Sequence, residues 1–157
     1  MTAIDAGQAA LVARAEASPL YREFGARVVV LDGERAQLSV PRESVRLRGV
    51  RDSINGGVVA TLAAAVGRLL LQSRLGDGQR AGRVSDLDIA YLSAARGSVT
   101  TFEASMLRQG RQVAVCEVEV RDADDGTLNA KARLSIDIQA IDVQAIDIQR
   151  SDMQRGG

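Results

Sequence analysis

Hydrophobic and polar residues follow different periods along this chain. From about Asp5 to Phe24 the spacing is helical, with Ala9, Leu11 and Val12 on one side and Arg14 and Glu16 on another. Pro19 can open a second short helix there, with Ser18 as its N-cap. Arg27 to Leu31 is then a β-branched run, Asp32-Gly33 is a hairpin signal, and Ala36, Leu38 and Val40 alternate with Gln37 and Ser39 up to Pro41. A polar, arginine-rich connection from Arg42 to Ile54 leads to Asn55-Gly56-Gly57 and the apolar run Val58 to Leu71, whose only charge is Arg68. Apolar residues fall on every side of a helix drawn through that run, which predicts a helix buried all round. The glycine pair at its start leaves backbone N–H groups able to face a ligand.

After a loop from Gly76 to Gly82, four strand patterns follow, at about Val84 to Leu92, Val99 to Leu107, Val113 to Val120 and Leu128 to Ile138. In the last, Leu128, Ala130, Ala132, Leu134, Ile136 and Ile138 alternate with Asn129, Lys131, Arg133, Ser135 and Asp137, the pattern of a sheet with one buried face. Gln109-Gly110-Arg111 and Asp124-Asp125-Gly126 supply turns. The order predicts an α+β domain over residues 1–139: a long central helix wrapped by a curved antiparallel sheet of about five to six strands. Beyond it, Ile136-Asp137-Ile138-Gln139-Ala140 recurs twice and degrades toward the end, with a period of five that fits neither helix nor strand. Residues 140–157 are therefore expected to be a weakly ordered appendage, in part extending the last strand.

Lys+Arg and Asp+Glu both number 20, so net charge gives no electrostatic case for nucleic acid or an anionic membrane. The chain has no histidine, which removes histidine bases, His-containing triads and His-ligated metals. No metal and no cofactor is expected. The single cysteine, Cys116, forms no internal disulfide and reads as a buried thiol. Met1 to Ala10 shows no secretory signal pattern, and Val58 to Leu71 is shorter than the roughly 20 apolar residues of a membrane span. A cytoplasmic protein is expected.

The order of these pieces resembles the hotdog-fold acyl-CoA thioesterases, in particular the phenylacetate-pathway-type branch, over roughly Ser18 to Ile138. The segment Asn55-Gly56-Gly57-Val58-Val59-Ala60-Thr61-Leu62-Ala63-Ala64 carries most of the likeness, where that family has His-Gly-Gly, small and apolar residues and an acid. Ser85 to Leu92, Arg108 to Arg111, Val118 to Asp122 and Gly126 to Leu128 continue it. The resemblance implies a hotdog fold, an acyl-CoA or related acyl thioester as ligand, and a homodimer or dimer of dimers with sites between subunits. It implies an oxyanion hole at the helix start, with Gly57 and Val58 supplying N–H groups and Gly56 allowing close approach. The family's acid falls on Ala64 and its histidine on Asn55, so the general acid or base is missing.

Asp52, ahead of Asn55, is the first substitute carboxylate, with helix capping as its simpler role. Asp86 lies on a strand that runs near the cleft in the resembling family. The Thr61 hydroxyl is expected to bond back to its own helix, and Arg68 to pair with a carboxylate from the sheet or the partner subunit. Arg96, Arg108 and Arg111 fall at strand ends where that family holds the nucleotide of coenzyme A, and guanidinium forks suit phosphate. Two readings follow: a thioester hydrolase, or a non-catalytic hotdog protein that binds an acyl thioester or serves in assembly.

Overall fold

A computed structural model describes residues 3, 4 and 6–141. Two short helices lead in, α1 (Ala9–Glu16) and α2 (Pro19–Glu23), after a two-residue strand β1 (Ala3–Ile4). As the sequence pattern predicts, Pro19 starts a second short helix and Ser18 takes the N-cap position. The Ser18 hydroxyl does not cap α2: it donates back to the Ala15 carbonyl at 2.6 Å. The hairpin β2 (Arg27–Leu31) and β3 (Arg35–Pro41) turns at Gly33, whose φ of 81° suits glycine.

The long helix α3 (Gly56–Arg74) is followed by β4 (Gln79–Tyr91), β5 (Val99–Gln109), β6 (Val113–Asp122) and β7 (Leu128–Ala140). The expected loop ends earlier than its glycines suggest, because β4 begins at Gln79 and pairs with β7 from there. The sheet has seven strands in the order β1-β2-β3-β5-β6-β7-β4. All neighbours are antiparallel except β1, which pairs parallel with β2. The first copy of the five-residue repeat is the end of β7, and Ile141 N–H donates to the Gly78 carbonyl. The rest of the second copy and the later ones, 142–157, lie outside the described residues.

The sheet curls around α3, and Leu62, Val66, Leu70 and Leu71 meet Phe102, Val118, Leu134 and Ile136 in one core. The helix is not buried all round. Gly57, Thr61 and Arg68 are exposed and Ala60, Ala64 and Ala65 half-buried, forming one open stripe. Alanine and glycine count as apolar in a sequence pattern but do not report a face, which is why the stripe was invisible there.

Candidate active site at the start of α3

Asn55 is the N-cap of α3, and its Oδ1 accepts the Gly57 N–H at 2.8 Å. Asparagine is among the preferred caps because its short amide reaches the second or third helical N–H. This corrects the expectation for Gly57: its N–H is engaged by the chain itself. The Gly56 and Val58 N–H groups have no acceptor among the described residues, and the Asn55 side-chain Nδ2 also donates to none of them. These three donors surround the helix start, where the macrodipole favours partial negative charge.

That start opens on a cleft of about 430 Å³. Its walls come from the loop before the helix (Gly49, Ser53, Ile54), from the end of β4 and the strap after it (Tyr91 to Ala95), and from Asn129 and Ala130 of β7. Tyr91 closes one side: its hydroxyl donates to the Gly56 carbonyl at 2.6 Å, and its ring leaves so little room that a Cβ on Gly56 would stand 3.3 Å from it. Ile54 N–H donates to the Ala95 carbonyl at 3.0 Å, tying the loop to the strap.

Asp52 does not reach the helix start. Its carboxylate takes Arg42 Nη1 at 2.8 Å and Arg48 Nε at 3.4 Å, and its side chain is 65% exposed. Arg51 and Asp52 both hold positive φ, 55° and 60°, a costly conformation for non-glycine residues. The two guanidinium contacts, with Arg48 also donating to the Arg42 carbonyl at 2.9 Å, over-determine the turn. Asp52 is therefore an anchor of the loop ahead of α3. Asp86 is exposed on β4 and does not line the cleft; Asp88, beside it, pairs in register with Arg133.

Thr61 does bond back, to the Gly57 carbonyl at 2.8 Å. Among the described residues Arg68 pairs with no carboxylate; its guanidinium donates to the Ala81 carbonyl at 3.4 Å. With Ala64, Leu20, Tyr21 and Leu87 it lines a wider groove of about 820 Å³ along the open stripe of α3. Burial holds the Tyr21 phenol in its neutral form well above the ordinary tyrosine range.

The three arginines do not converge. Arg96 precedes β5 and Arg108 and Arg111 lie at its far end, so the strand's eleven residues put roughly 35 Å between them. Arg74, at the end of α3, bonds Gln109 at 2.8 Å, which places Arg108 and Arg111 by the helix C-terminus. Within one chain they cannot grip the same nucleotide as Arg96. Beside Arg96 lie Asp122, Asp124 and Asp125, an acidic neighbourhood unsuited to phosphate. Two hydrogen bonds from Ser98 hold Asp124 below the usual carboxylate range.

The residue that sequence reasoning misplaced is Asn129. Strict alternation sets it on the wet face of β7. The register instead steps from Val120↔Ala130 to Arg121↔Leu128, leaving Asn129 as the extra residue of a β-bulge. The bulge turns Asn129 inward beside Ala130, and it is 2% exposed. Its only sequence signal was an amide in an alternating strand three residues after a turn glycine. Among the described residues no group of His, Cys, Asp and Glu is arranged to hold a metal ion.

A family model for the Thioesterase superfamily matches residues 52–129, the span from the loop ahead of α3 to the bulge. No curated protein sequence matches the chain. Among solved structures, a point mutant of a thioesterase from Pseudomonas aeruginosa superposes with a TM-score of 0.75 at 19% identity, covering 84% of this chain and 94% of the other. A thioesterase from Haemophilus influenzae gives 0.73 at 18%, covering 81% and 87%. A thioesterase family protein from Silicibacter pomeroyi gives 0.71 at 21%, covering 83% and 95%. The central helix in its curled antiparallel sheet is the fold of these neighbours, the hotdog. The segment 52–129 is thus similar to the Thioesterase superfamily, and the architecture is that of these hotdog neighbours.

Proposed function

We propose that this protein binds an acyl-CoA or related acyl thioester with its carbonyl at the start of α3, and hydrolyses it slowly. One observation carries the reading: in a hotdog fold similar to the thioesterases, Gly56, with an unpartnered N–H, and Asn55, with an unpartnered side-chain Nδ2, border one cleft, and the Val58 N–H is unpartnered on the same first turn. Such donors stabilise a carbonyl oxygen as it gains charge. Slow turnover follows from the missing acid. Ala64 stands where the resembling family has its carboxylate, and the nearest loop carboxylate is tied to Arg42 and Arg48. That absence favours the second reading, a thioester-binding protein without turnover, as far as catalysis goes. We keep the phenylacetate-type branch as the subfamily on the strength of the Gly56-Gly57 helix start. A cytoplasmic site of action, and an appended segment over 140–157, complete the proposal.

The geometry also supports a homodimer or a dimer of dimers. Ala64 is seven residues beyond Gly57, about 10 Å along the helix. That is too far for both positions to touch one carbonyl, so a residue 64 that serves the site would come from a second copy. β4 is an edge strand with Leu87 and Tyr91 exposed, and Leu92 beyond it, the kind of edge that a second sheet covers. Light scattering should then give at least twice the single-chain 16.6 kDa.

Calorimetric titration with a panel of acyl-CoAs, beside steady-state hydrolysis of the same compounds, tests the function. Binding with slow turnover is expected, and Gly56→Leu, which fills the cleft against Tyr91, should abolish binding. Binding of no CoA thioester by folded wild-type protein, or binding untouched by Gly56→Leu, would overturn the proposal.

A further inference from the structure

The groove along the open stripe of α3 is an apolar trough with a cationic end. Leu20, Ala60, Ala64, Val84 and Leu87 give it apolar walls, its charges are Arg68 and Arg83, and no carboxylate lines it. A smaller hollow of about 250 Å³ shares Tyr21, Ala65 and Arg68 with it, and the other charge there is Arg14. Arg83 is paired with Asp137 at 2.9 Å. Arg68 is exposed, and of its five N–H donors one is used, in a long bond to the Ala81 carbonyl. Tyr21 beside it is 6% exposed, yet its hydroxyl has no hydrogen-bond partner among the described residues. Nor is that hydroxyl one of the partnerless atoms sealed in the interior, which are Thr100 Oγ1, Asp122 Oδ1 and Asn129 Oδ1. It therefore keeps access to the hollows that Tyr21 lines. Burial, and then the Glu16 charge, keep the phenol protonated, while the Arg68 charge acts on it in the opposite sense. Hydroxyl and guanidinium thus lie within electrostatic reach of each other. Glu16 itself is engaged, by Arg27 Nη1 at 3.1 Å and the Val28 N–H at 2.8 Å. A guanidinium fork and an O–H donor at the end of an apolar trough suit a carboxylate carried on an apolar chain.

We propose that Arg68 and Tyr21 are specificity-determining residues for the acyl chain, and that they select acyl thioesters whose chain ends in a carboxylate. The inference rests on the thioester reading above and on the dimer proposed with it. In that dimer residue 64 lies by the carbonyl held at the partner subunit's helix start. Arg68 is one turn further along the same stripe, about 6 Å. A short chain leaving the carbonyl passes Ala64 and Ala65 and brings its carboxylate to the Arg68 guanidinium and the Tyr21 hydroxyl, which both donate to it.

Two pairs of thioesters test it. Glutaryl-CoA and 5-methylhexanoyl-CoA differ only by a carboxylate against an isopropyl group of the same shape. Adipoyl-CoA and 6-methylheptanoyl-CoA repeat the comparison on a longer chain. Dissociation constants are measured by calorimetry for wild type, Arg68→Met and Tyr21→Phe, with the mass of each protein from light scattering. Wild type should bind the carboxylate member of at least one pair roughly tenfold to a hundredfold more tightly, the scale of charge-assisted hydrogen bonds. Arg68→Met should bring that preference within about twofold or reverse it. Tyr21→Phe removes only the hydroxyl, so it should lower the preference roughly threefold to tenfold and leave the apolar probes within about twofold. A packing role for Tyr21 would instead move both members of a pair alike, and that result would remove Tyr21 from the assignment. Should Arg68→Met fail to fold, wild type and Tyr21→Phe decide alone. Equal affinities within both pairs in wild type, with binding still abolished by Gly56→Leu, would overturn the assignment and leave the thioester reading standing. A preference untouched by Arg68→Met would overturn it too. Equal affinities together with a halved mass for Arg68→Met would show that Arg68 meets a carboxylate of the second copy and not of the ligand. Failure of wild type to bind any of the four probes would overturn both readings.

Discussion

The two faces of α3 share one helical spacing and have opposite fates. Val59, Leu62, Val66 and Leu70 point into the sheet and are buried. Thr61, Ala64 and Arg68, at nearly the same intervals, face a groove of about 820 Å³, with exposed Gly57 one turn before them. The sheet face carries branched side chains that fill space, while the open face carries hydrogen, methyl and hydroxyl groups that leave it. A helix needs the first kind to be held and the second to let a ligand or another chain come close. One element therefore anchors the core and presents the site, and mutations on its two faces should behave as if they belonged to different proteins.

The largest effect belongs to the sheet face. Leu70 is fully buried against β strands that cannot collapse around a void. Leu70→Ala should cost about 2–5 kcal/mol of folding stability, read as a lower urea midpoint with an unchanged slope. A loss below about 1 kcal/mol would mean that this face packs loosely and that the contrast is overdrawn.

The next effect is chemical and sits on the open face. Asn55→His with Ala64→Asp restores the residues that the resembling family carries at these positions. It also removes the cap that occupies the Gly57 N–H. Hydrolysis of simple acyl-CoAs should rise by roughly tenfold to a thousandfold, part of what a positioned base supplies when its surroundings were not shaped for it. No gain in a folded double mutant that still binds CoA thioesters would place residue 64 away from the reacting carbonyl. Fast wild-type turnover would show that a group other than Asp52 already does this work.

Much of this contrast could be read from the sequence, and its limits are physical. The strands were legible because branched residues at every second position report which side is buried: Ala36, Leu38 and Val40 turn inward as written. The long helix was legible by its length and apolarity. Its open stripe was not, because Ala60, Ala64 and Ala65 satisfy a hydrophobic pattern at any exposure. Asn55 stood out in the sequence at the family's histidine position, but its capping of the helix onto Gly57 depends on a backbone geometry that no residue type announces. The sequence left Asp52 between a site acid and a simpler loop role, because a loop carboxylate takes whichever cation lies nearest, and here Arg42 and Arg48 come first. Asn129 was misread because a bulge breaks the period of two on which the reading depends.

A smaller change probes where the two faces meet, at the helix start. Asn55→Ala removes the acceptor of the Gly57 N–H and should cost about 1 kcal/mol, the usual worth of a cap. Thermal or urea denaturation measures it. A cost above about 3 kcal/mol would mean that the Asn55 side chain also holds the strap after β4 in place.

The smallest effect should come from Thr61→Ala. Thr61 is exposed, and its hydroxyl bonds a carbonyl of its own helix that is already within the helical ladder. Losing that bond is offset by the higher helix propensity of alanine, so stability should change by less than about 0.5 kcal/mol in either direction. In a dimer whose partner brings residue 64 to the helix start, Thr61 lies one turn earlier, at the rim of the cleft, and the change should stay equally small. Two measurements check it: the urea midpoint, and its dependence on protein concentration. A loss near that of Leu70→Ala, growing on dilution, would show that another chain packs tightly on Thr61. The open face would then be a second core surface completed by assembly, and the groove along it would belong to the subunit interface and not to the ligand.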